Sequence, residues 1–355
     1  MARGFEGGFP SPSEIRRIQA EAAKSVERQH KERKAKRDAL AEIRRQPVER
    51  IRRPDDLDNR PVFGNYYTGD EQFDRLARRQ NDRRPRPQQF NDVYAPEKIE
   101  TDLAKVEAFK KSPRYEEERG PEAIASEYVV NELFSRGQLG HDIRSIPSAD
   151  PDDYFNHIDT VLAVDEQDGG TQYLGVDITT QEDMTVHQKK LYQTLDVLKE
   201  NKLNTVEYHY DPKHPDTKGA ITVPRVVIDI NQDRVNELQA GLAEQSTFKA
   251  PPEVHHEMVE EIILQLSQNA AYLLREHYRA GHQFELPGNN PEAVIEFFNA
   301  HGASIERQNK PLYHNVMKHV KLLGHFLLEE KKSGPAKREI NGGPLWKLVH
   351  DGRIY

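Results

Sequence analysis

The stretch NHIDTVLAVDEQDGGTQYLGVDITT, from Asn156 to Thr180, decides the fold. It predicts two strands, IDTVLAV and YLGVDIT, joined by a turn that contains glycine. Each strand contains an aspartate, Asp159 in the first and Asp177 in the second, at a position where an apolar core strand rarely has one. If the strands pair antiparallel through the turn, Asp159 at the start of one lies close to Asp177 near the end of the other.

Two neighbouring carboxylates on a sheet repel each other unless a positive charge lies between them. The pair therefore predicts either a raised pKa for one carboxyl or a bound cation. Because the chain contains no cysteine, the ligands are expected to be oxygen atoms, which favour Mg²⁺ or Mn²⁺ over zinc. Asp159 and Asp177 are thus candidate metal ligands.

The segments around this pair predict an α/β fold with helices packed on a sheet. An amphipathic helix begins at Pro121, and another helix begins near Thr185. Further strands are predicted at 205–211 and 221–231, where Pro224 favours an edge position or a delayed start. The remaining helices are predicted at 232–245, 253–279, 291–301 and 311–331. These patterns divide the body of the chain into an α/β core, 121–231, and a C-terminal helical region, 232–355, packed on that core.

The composition limits the classes of function. Only 35% of the 355 residues are hydrophobic and 31% are charged, which predicts a substantial solvated segment. No apolar run approaches the roughly 20 residues that span a bilayer, and the N-terminus has no apolar signal core, so we expect a cytoplasmic protein without membrane contact. The chain has no GxxxxGK[ST] loop, GxGxxG turn or GxSxG elbow, so P-loop, dinucleotide and serine-hydrolase chemistry lack support.

The N-terminal third predicts a long basic arm that is partly disordered. Residues 1–53 read as a charged helical arm, and residues 54–120 as a Pro- and Arg-rich extended linker. The first 120 residues are net basic, although the whole chain has a formal charge of −8. Such an arm either binds nucleic acid or folds back on its own acidic body, and the sequence leaves both open. It gives no indication of the oligomeric state.

The order of these elements resembles the core of the PD-(D/E)XK nuclease superfamily, from about residue 121 to 231. In that core a helix with an internal glutamate precedes a strand with an aspartate, a turn, and a strand that ends in acid-x-Lys. Here SEYVVNELFSRGQLG resembles the helix, IDTVLAVDE the first catalytic strand and GVDITT the second. The resemblance implies a restriction-endonuclease-like mixed sheet with flanking helices and Mg²⁺- or Mn²⁺-dependent cleavage of DNA or RNA.

Applied residue by residue, the resemblance implies that Glu127, Asp159 and Asp177 are catalytic acids that bind the metal. The family's lysine would stand two residues after the second acid, where this chain has Thr179. Some members have the lysine on the following helix, so Lys189 and Lys190 are the candidates here. His187, on the same helix, is a further candidate base. The departure at Thr179 leaves a second interpretation open, in which the protein is an inactive nuclease-fold scaffold that binds nucleic acid or protein.

Overall fold

The computed structural model describes residues 82–118, 121–136, 142–166, 169–180, 184–244, 250–278 and 290–333. The predicted charged helical arm, residues 1–53, lies outside these ranges. The described residues form a mixed α/β structure, as the sequence predicts. No helix among them is apolar over enough of its length to cross a lipid bilayer.

The elements follow one another in chain order. They are α1 (Pro96–Lys110), α2 (Pro113–Glu118), α3 (Pro121–Ser135), β1 (Ile143–Pro147), α4 (Asp150–Asn156), β2 (Thr160–Asp165), β3 (Thr171–Thr179), α5 (Met184–Lys199), β4 (Asn204–Asp211), β5 (His214–Val223), β6 (Arg225–Asp229), α6 (Gln232–Glu244), α7 (Pro252–His277), α8 (Pro291–Gln308) and α9 (Lys310–Ser333). Before α1, a 3₁₀ turn spans Pro87–Phe90.

Four strands form a small mixed sheet in the order β1-β2-β3-β6. The first three pair antiparallel, and β6 pairs parallel to β3. The chain passes from β3 to β6 through α5 and a separate antiparallel hairpin, β4-β5. Since a parallel pair needs such a crossover, α5 is brought against the sheet beside the ends of β3 and β6.

Both faces of β2 are buried, which explains its uninterrupted apolar sequence. Leu162 and Val164 face the main core with the helices, whereas Val161 and Ala163 pack on the second face with side chains from the β4-β5 hairpin. The hairpin approaches so closely that a Cβ on Gly175 would lie 3.0 Å from a side-chain carbon of Val223. This glycine in β3 therefore lets the hairpin cover the sheet.

The described part of the predicted extended linker is largely helical. Residues 96–110 form α1, with Pro96 in its first turn, where proline is favourable because no intrahelical donor is lost there. Ahead of it, Phe90 is fully buried and packs edge-on against Tyr208 of β4 at 5.4 Å between ring centroids. This segment is thus anchored on its own domain, one of the two alternatives that the sequence leaves open for the arm.

Two short elements, β1 and α4, are absent from the sequence-based expectation, and the predicted strand 221–231 differs from the structure. Pro224 divides that segment, so that residues up to Val223 complete β5 and β6 begins at Arg225. The carbonyl of Pro224 accepts a hydrogen bond from the Gly175 amide at 2.8 Å. As its proline predicts, β6 is an edge strand of the four-stranded sheet.

Candidate metal centre

The site lies at the edge of the sheet where β2 begins and β3 ends. Asp159 directly precedes β2, which starts at Thr160. Its backbone amide donates to the Val176 carbonyl at 2.9 Å, and its Oδ2 accepts from the Ile178 amide at 2.6 Å. The backbone of β3 therefore fixes the carboxylate of Asp159 on the same pocket wall as Asp177, which belongs to β3. This is the juxtaposition that the antiparallel pairing predicts.

Helix α4 supplies a further acid, Asp153. The helix is tied to β4 by Asp152, whose carboxylate accepts two backbone amides of that strand at 2.7 and 2.9 Å. Burial raises the pKa of Asp152 to about 6 in spite of these hydrogen bonds. At the end of α4, His157 adopts a left-handed conformation with φ of 54°, which turns the chain directly towards Asp159.

Three buried acids converge from three different elements. Glu127 comes from α3, Asp153 from α4 and Asp159 from the start of β2. One carboxylate oxygen of each lies within 4.8 Å of the others. Three carboxylates at such distances repel one another unless a cation lies among them. The triad can therefore hold a metal ion, and this set contains Asp153 in place of the predicted Asp177.

A protein cation, Arg84, already contacts two members of the triad. Its Nη2 donates to Glu127 Oε2 at 2.8 Å, and its Nη1 donates to Asp153 Oδ2 at 2.6 Å. The same Nη1 lies 3.3 Å from Asp150 Oδ1, at the start of α4. Arg84 is only 8% exposed, so these are buried, charge-assisted hydrogen bonds rather than loose surface pairs.

Asp177 lies in the same pocket but is paired with two cations. One is Lys190 of α5, whose Nζ donates to Asp177 Oδ1 at 2.5 Å and to the Ile178 carbonyl at 3.3 Å. The other is the buried Arg225 of β6, which donates to Asp177 Oδ2. Burial raises the pKa of Asp177, but the charges of Lys190 and Arg225 outweigh it and lower the pKa below its ordinary value. Asp177 is thus ionised with its charge compensated.

All five residues proposed from the sequence line one pocket of about 420 Å³. They are Glu127, Asp159, Asp177, Lys189 and Lys190. The two lysines differ, because Lys190 contacts Asp177 whereas Lys189 is exposed at the pocket wall. The pocket lining also contains Phe109, Tyr154 and Arg114. The pocket therefore combines acidic, cationic and aromatic surfaces.

His187, the further candidate base, is not among the residues that line this pocket. It is fully buried, with Nδ1 3.7 Å from Asp229 Oδ2. The Asp229 amide donates to Glu261 Oε2 at 3.1 Å. Burial, together with the nearby charge of Asp229, raises the pKa of Glu261 well above its ordinary value. His187 thus belongs to a buried polar group beneath α7.

Sequence reasoning missed Asp153 and Arg84. The segment ADPDDYFN has a proline followed by acids, which is a signal of a helix N-terminus. This signal predicts α4 and would have made Asp153 a candidate acid beside Asp159. Arg84 is one of three arginines in RRPR, and no local pattern separates it from its neighbours. Its role depends on tertiary contact with α3 and α4.

Comparisons with protein-family models, with curated proteins and with solved structures find no match to this chain. Any functional assignment therefore depends on the geometry and chemistry of the pocket.

Proposed function

We propose that the protein is a metal-dependent nuclease that hydrolyses phosphodiester bonds in DNA or RNA. The observation that supports this best is the buried triad of Glu127, Asp153 and Asp159, placed in an open pocket beside the ammonium group of Lys190. A purely structural cluster of acids does not need to open onto a pocket of nucleotide size.

The chemistry of the triad suits a hard divalent cation. All three ligands are carboxylates, which favours Mg²⁺ or Mn²⁺. A metal bound there would polarise a phosphodiester oxygen and lower the pKa of a bound water. We propose that Glu127, Asp153 and Asp159 hold this ion, and that Asp177 acts by positioning Lys190.

The other groups of the pocket fit a nucleic-acid substrate. Lys190, fixed by Asp177, places a positive charge where negative charge develops on the phosphate during attack by water. Lys189 and Arg114 on the pocket wall can bind flanking phosphates, and the half-buried Phe109 offers a ring that a base can contact. The basic residues 1–53, outside the described ranges, would add sequence-independent affinity for phosphates.

The resemblance to PD-(D/E)XK nucleases points the same way. Glu127 lies in the helix before the sheet, Asp159 directly precedes β2, Asp177 lies on the antiparallel neighbour β3, and Lys190 lies on the helix that follows. The mixed sheet agrees with the restriction-endonuclease-like core that the resemblance implies. Thr179 in place of the family's lysine, and Asp153 as an additional acid, are the departures.

One observation favours a second function, that of an inactive nuclease-fold protein that binds nucleic acid or protein as a scaffold. Arg84 lies against the triad, where a cation would be needed, and it can neutralise the acids without a metal. In that case the pocket would keep its shape for binding and would hydrolyse nothing.

The test is cleavage of circular, single-stranded and branched DNA and of RNA in the presence of Mg²⁺ or Mn²⁺. We expect Asp159→Asn to reduce the cleavage rate by more than about 100-fold, because it removes a charged metal ligand. The exposed Asp196 on α5 gives a matched control, Asp196→Asn, with unchanged activity. Wild-type protein without activity on every substrate, or cleavage that survives in Asp159→Asn, would contradict the proposal.

A further inference from the structure

Arg84 and a divalent cation would compete for two of the three carboxylates of the triad, those of Glu127 and Asp153. Glu127 Oε2 and Asp153 Oδ2 each accept a hydrogen bond from the Arg84 guanidinium, at 2.8 and 2.6 Å. A metal ion binds a carboxylate oxygen at roughly 2.0–2.6 Å and approaches from the same side as a hydrogen-bond donor. Two positive groups at that separation in a buried site repel strongly. Occupation of the triad by one cation therefore weakens binding of the other.

We propose that Arg84 is an internal competitor that closes the metal centre, and that the centre binds a divalent cation only when Arg84 moves aside. This inference rests on the proposed function of the triad as a metal site. It adds a mode of regulation, since the metal-free state is held by an ion pair within the chain.

The structure supplies a second partner that Arg84 can keep while it moves. Its Nη1 is already 3.3 Å from Asp150 Oδ1, and Asp150 lies outside the triad and is partly exposed. Lys110 also contacts this carboxylate, at 2.8 Å. A pivot of the guanidinium towards Asp150 would release Glu127 and Asp153 while one ion pair remains.

The movement need not disturb the rest of the domain. Three residues beyond Arg84, the chain enters the 3₁₀ turn Pro87–Phe90, and Phe90 is buried against Tyr94 and Tyr208. This aromatic anchor fixes the segment downstream of Arg84. Rearrangement can therefore remain local to residues 84–86.

The experiment measures Mn²⁺ binding to the full-length chain by electron paramagnetic resonance. It compares wild type, Arg84→Met and Arg83→Met. Arg83 is the matched control, because it is adjacent, is largely exposed and lies 3.8 Å from Glu132 rather than on the triad. We expect Arg84→Met to bind Mn²⁺ at least about 10-fold more tightly than wild type, since a repelling charge is removed from a buried site. Arg83→Met should match wild type.

A second variant, Arg84→Lys, allows the comparison to be made if Arg84→Met folds poorly. Arg84→Lys keeps the charge but cannot hold two carboxylates with a fork of donors, so we expect an intermediate Mn²⁺ affinity. Thermal unfolding adds a readout, since Mn²⁺ should raise the melting temperature of both Arg84 variants more than that of wild type.

The outcomes separate this inference from the proposed nuclease activity. Equal Mn²⁺ affinity in wild type and both Arg84 variants would overturn the competition, even if the wild-type protein cleaves nucleic acid. Tighter Mn²⁺ binding by the variants, with no cleavage of any substrate, would support the competition and refute the nuclease. Failure of every protein to bind Mn²⁺ would overturn both.

Discussion

The two ends of strand β2 contain the same kinds of charged side chain, but they are arranged differently. At the far end, Asp165 accepts from Arg144 at 3.0 Å and from Lys213 at 2.5 Å, and Arg144 also binds Asp211 through two nitrogens. At the pocket end, three acids converge on one point, and the cation that contacts two of them, Arg84, comes from a distant segment.

The difference shows what separates a structural ion cluster from a candidate site. Burial raises the pKa of both Asp165 and Asp211, but hydrogen bonds and charge from Arg144 outweigh it, so both pKa values are lowered. These acids are ionised and compensated by Arg144 of β1 and, for Asp165, also by Lys213 in the turn of the β4-β5 hairpin. Around Asp159, the acids instead line a pocket of about 420 Å³, and one carboxylate oxygen of each triad member lies within 4.8 Å of the others. This close approach of three acids, combined with the pocket, makes the pocket end the functional candidate.

The largest effect on stability is expected when the arginine at each end of β2 is replaced and the two losses are compared. Arg225→Met should lower the free energy of unfolding by about 4 kcal/mol, because it leaves the buried carboxylate of Asp177 without one of its partners. Arg144→Met should lower it by only about 2 kcal/mol, because Arg144 is partly exposed and solvent screens its ion pairs. Urea unfolding of both variants measures the two values. An equal or larger loss in Arg144→Met would break the distinction between the two ends.

The next effect concerns the lysine that binds an acid at each end. If the protein is the proposed nuclease, Lys190→Met should reduce its rate of nucleic-acid cleavage by about 100-fold, since it removes a charge that would face the developing negative charge on phosphate. Lys213 contacts Asp165 at 2.5 Å but lies at the far end, so Lys213→Met is the matched control and should retain activity. The measurement is the cleavage rate of both variants and of wild type at saturating Mg²⁺. A similar loss in both variants would show that the lysines act through stability alone.

Much of the fold could be predicted from the sequence, because the hydrophobic periodicity of a long amphipathic segment indicates its secondary structure without tertiary information. Helices α5 to α9 lie close to their predicted positions, and the strand pair around Asp159 and Asp177 follows from its apolar runs and turn. By contrast, β1 has five residues that end in proline, and α4 has seven residues without an apolar repeat. In α1, Pro96 begins the helix, whereas the composition of the segment favoured an extended chain.

The candidate site was predictable only as far as its strands. Asp159 and Asp177 are recognisable because acids are unusual on apolar strands, and Glu127 and Lys190 follow from the resemblance. Arg84 was not predictable, because its contacts with α3 and α4 join residues more than 40 positions apart. Long-range ion pairs of this kind leave no periodic trace in a sequence.

The smallest effect concerns His209 of β4, which lies near Arg144 and Asp211 at the far end of β2. Its ring packs on Tyr173 at 4.7 Å between centroids, and among the described residues neither ring nitrogen has a hydrogen-bond partner. Burial lowers its pKa to about 4. The unfolded chain takes up this proton near pH 6.5, so between pH 6.5 and 4 the unfolded state binds more protons than the folded state. Stability is therefore lost as the pH falls through this window.

His209→Phe should remove this acid sensitivity while keeping a ring against Tyr173. As the pH falls from 7 to 5, the free energy of unfolding of wild type should drop by about 2 kcal/mol more than that of the variant. Urea unfolding at each pH measures this difference. The buried His319 also has a pKa lowered to about 4, but it is present in both proteins, so the difference between their curves isolates His209. Parallel curves would mean that water reaches and solvates the imidazole in the folded state. The environment of His209 at the far end of β2 would then be hydrated, and the contrast with the pocket would rest on the acids alone.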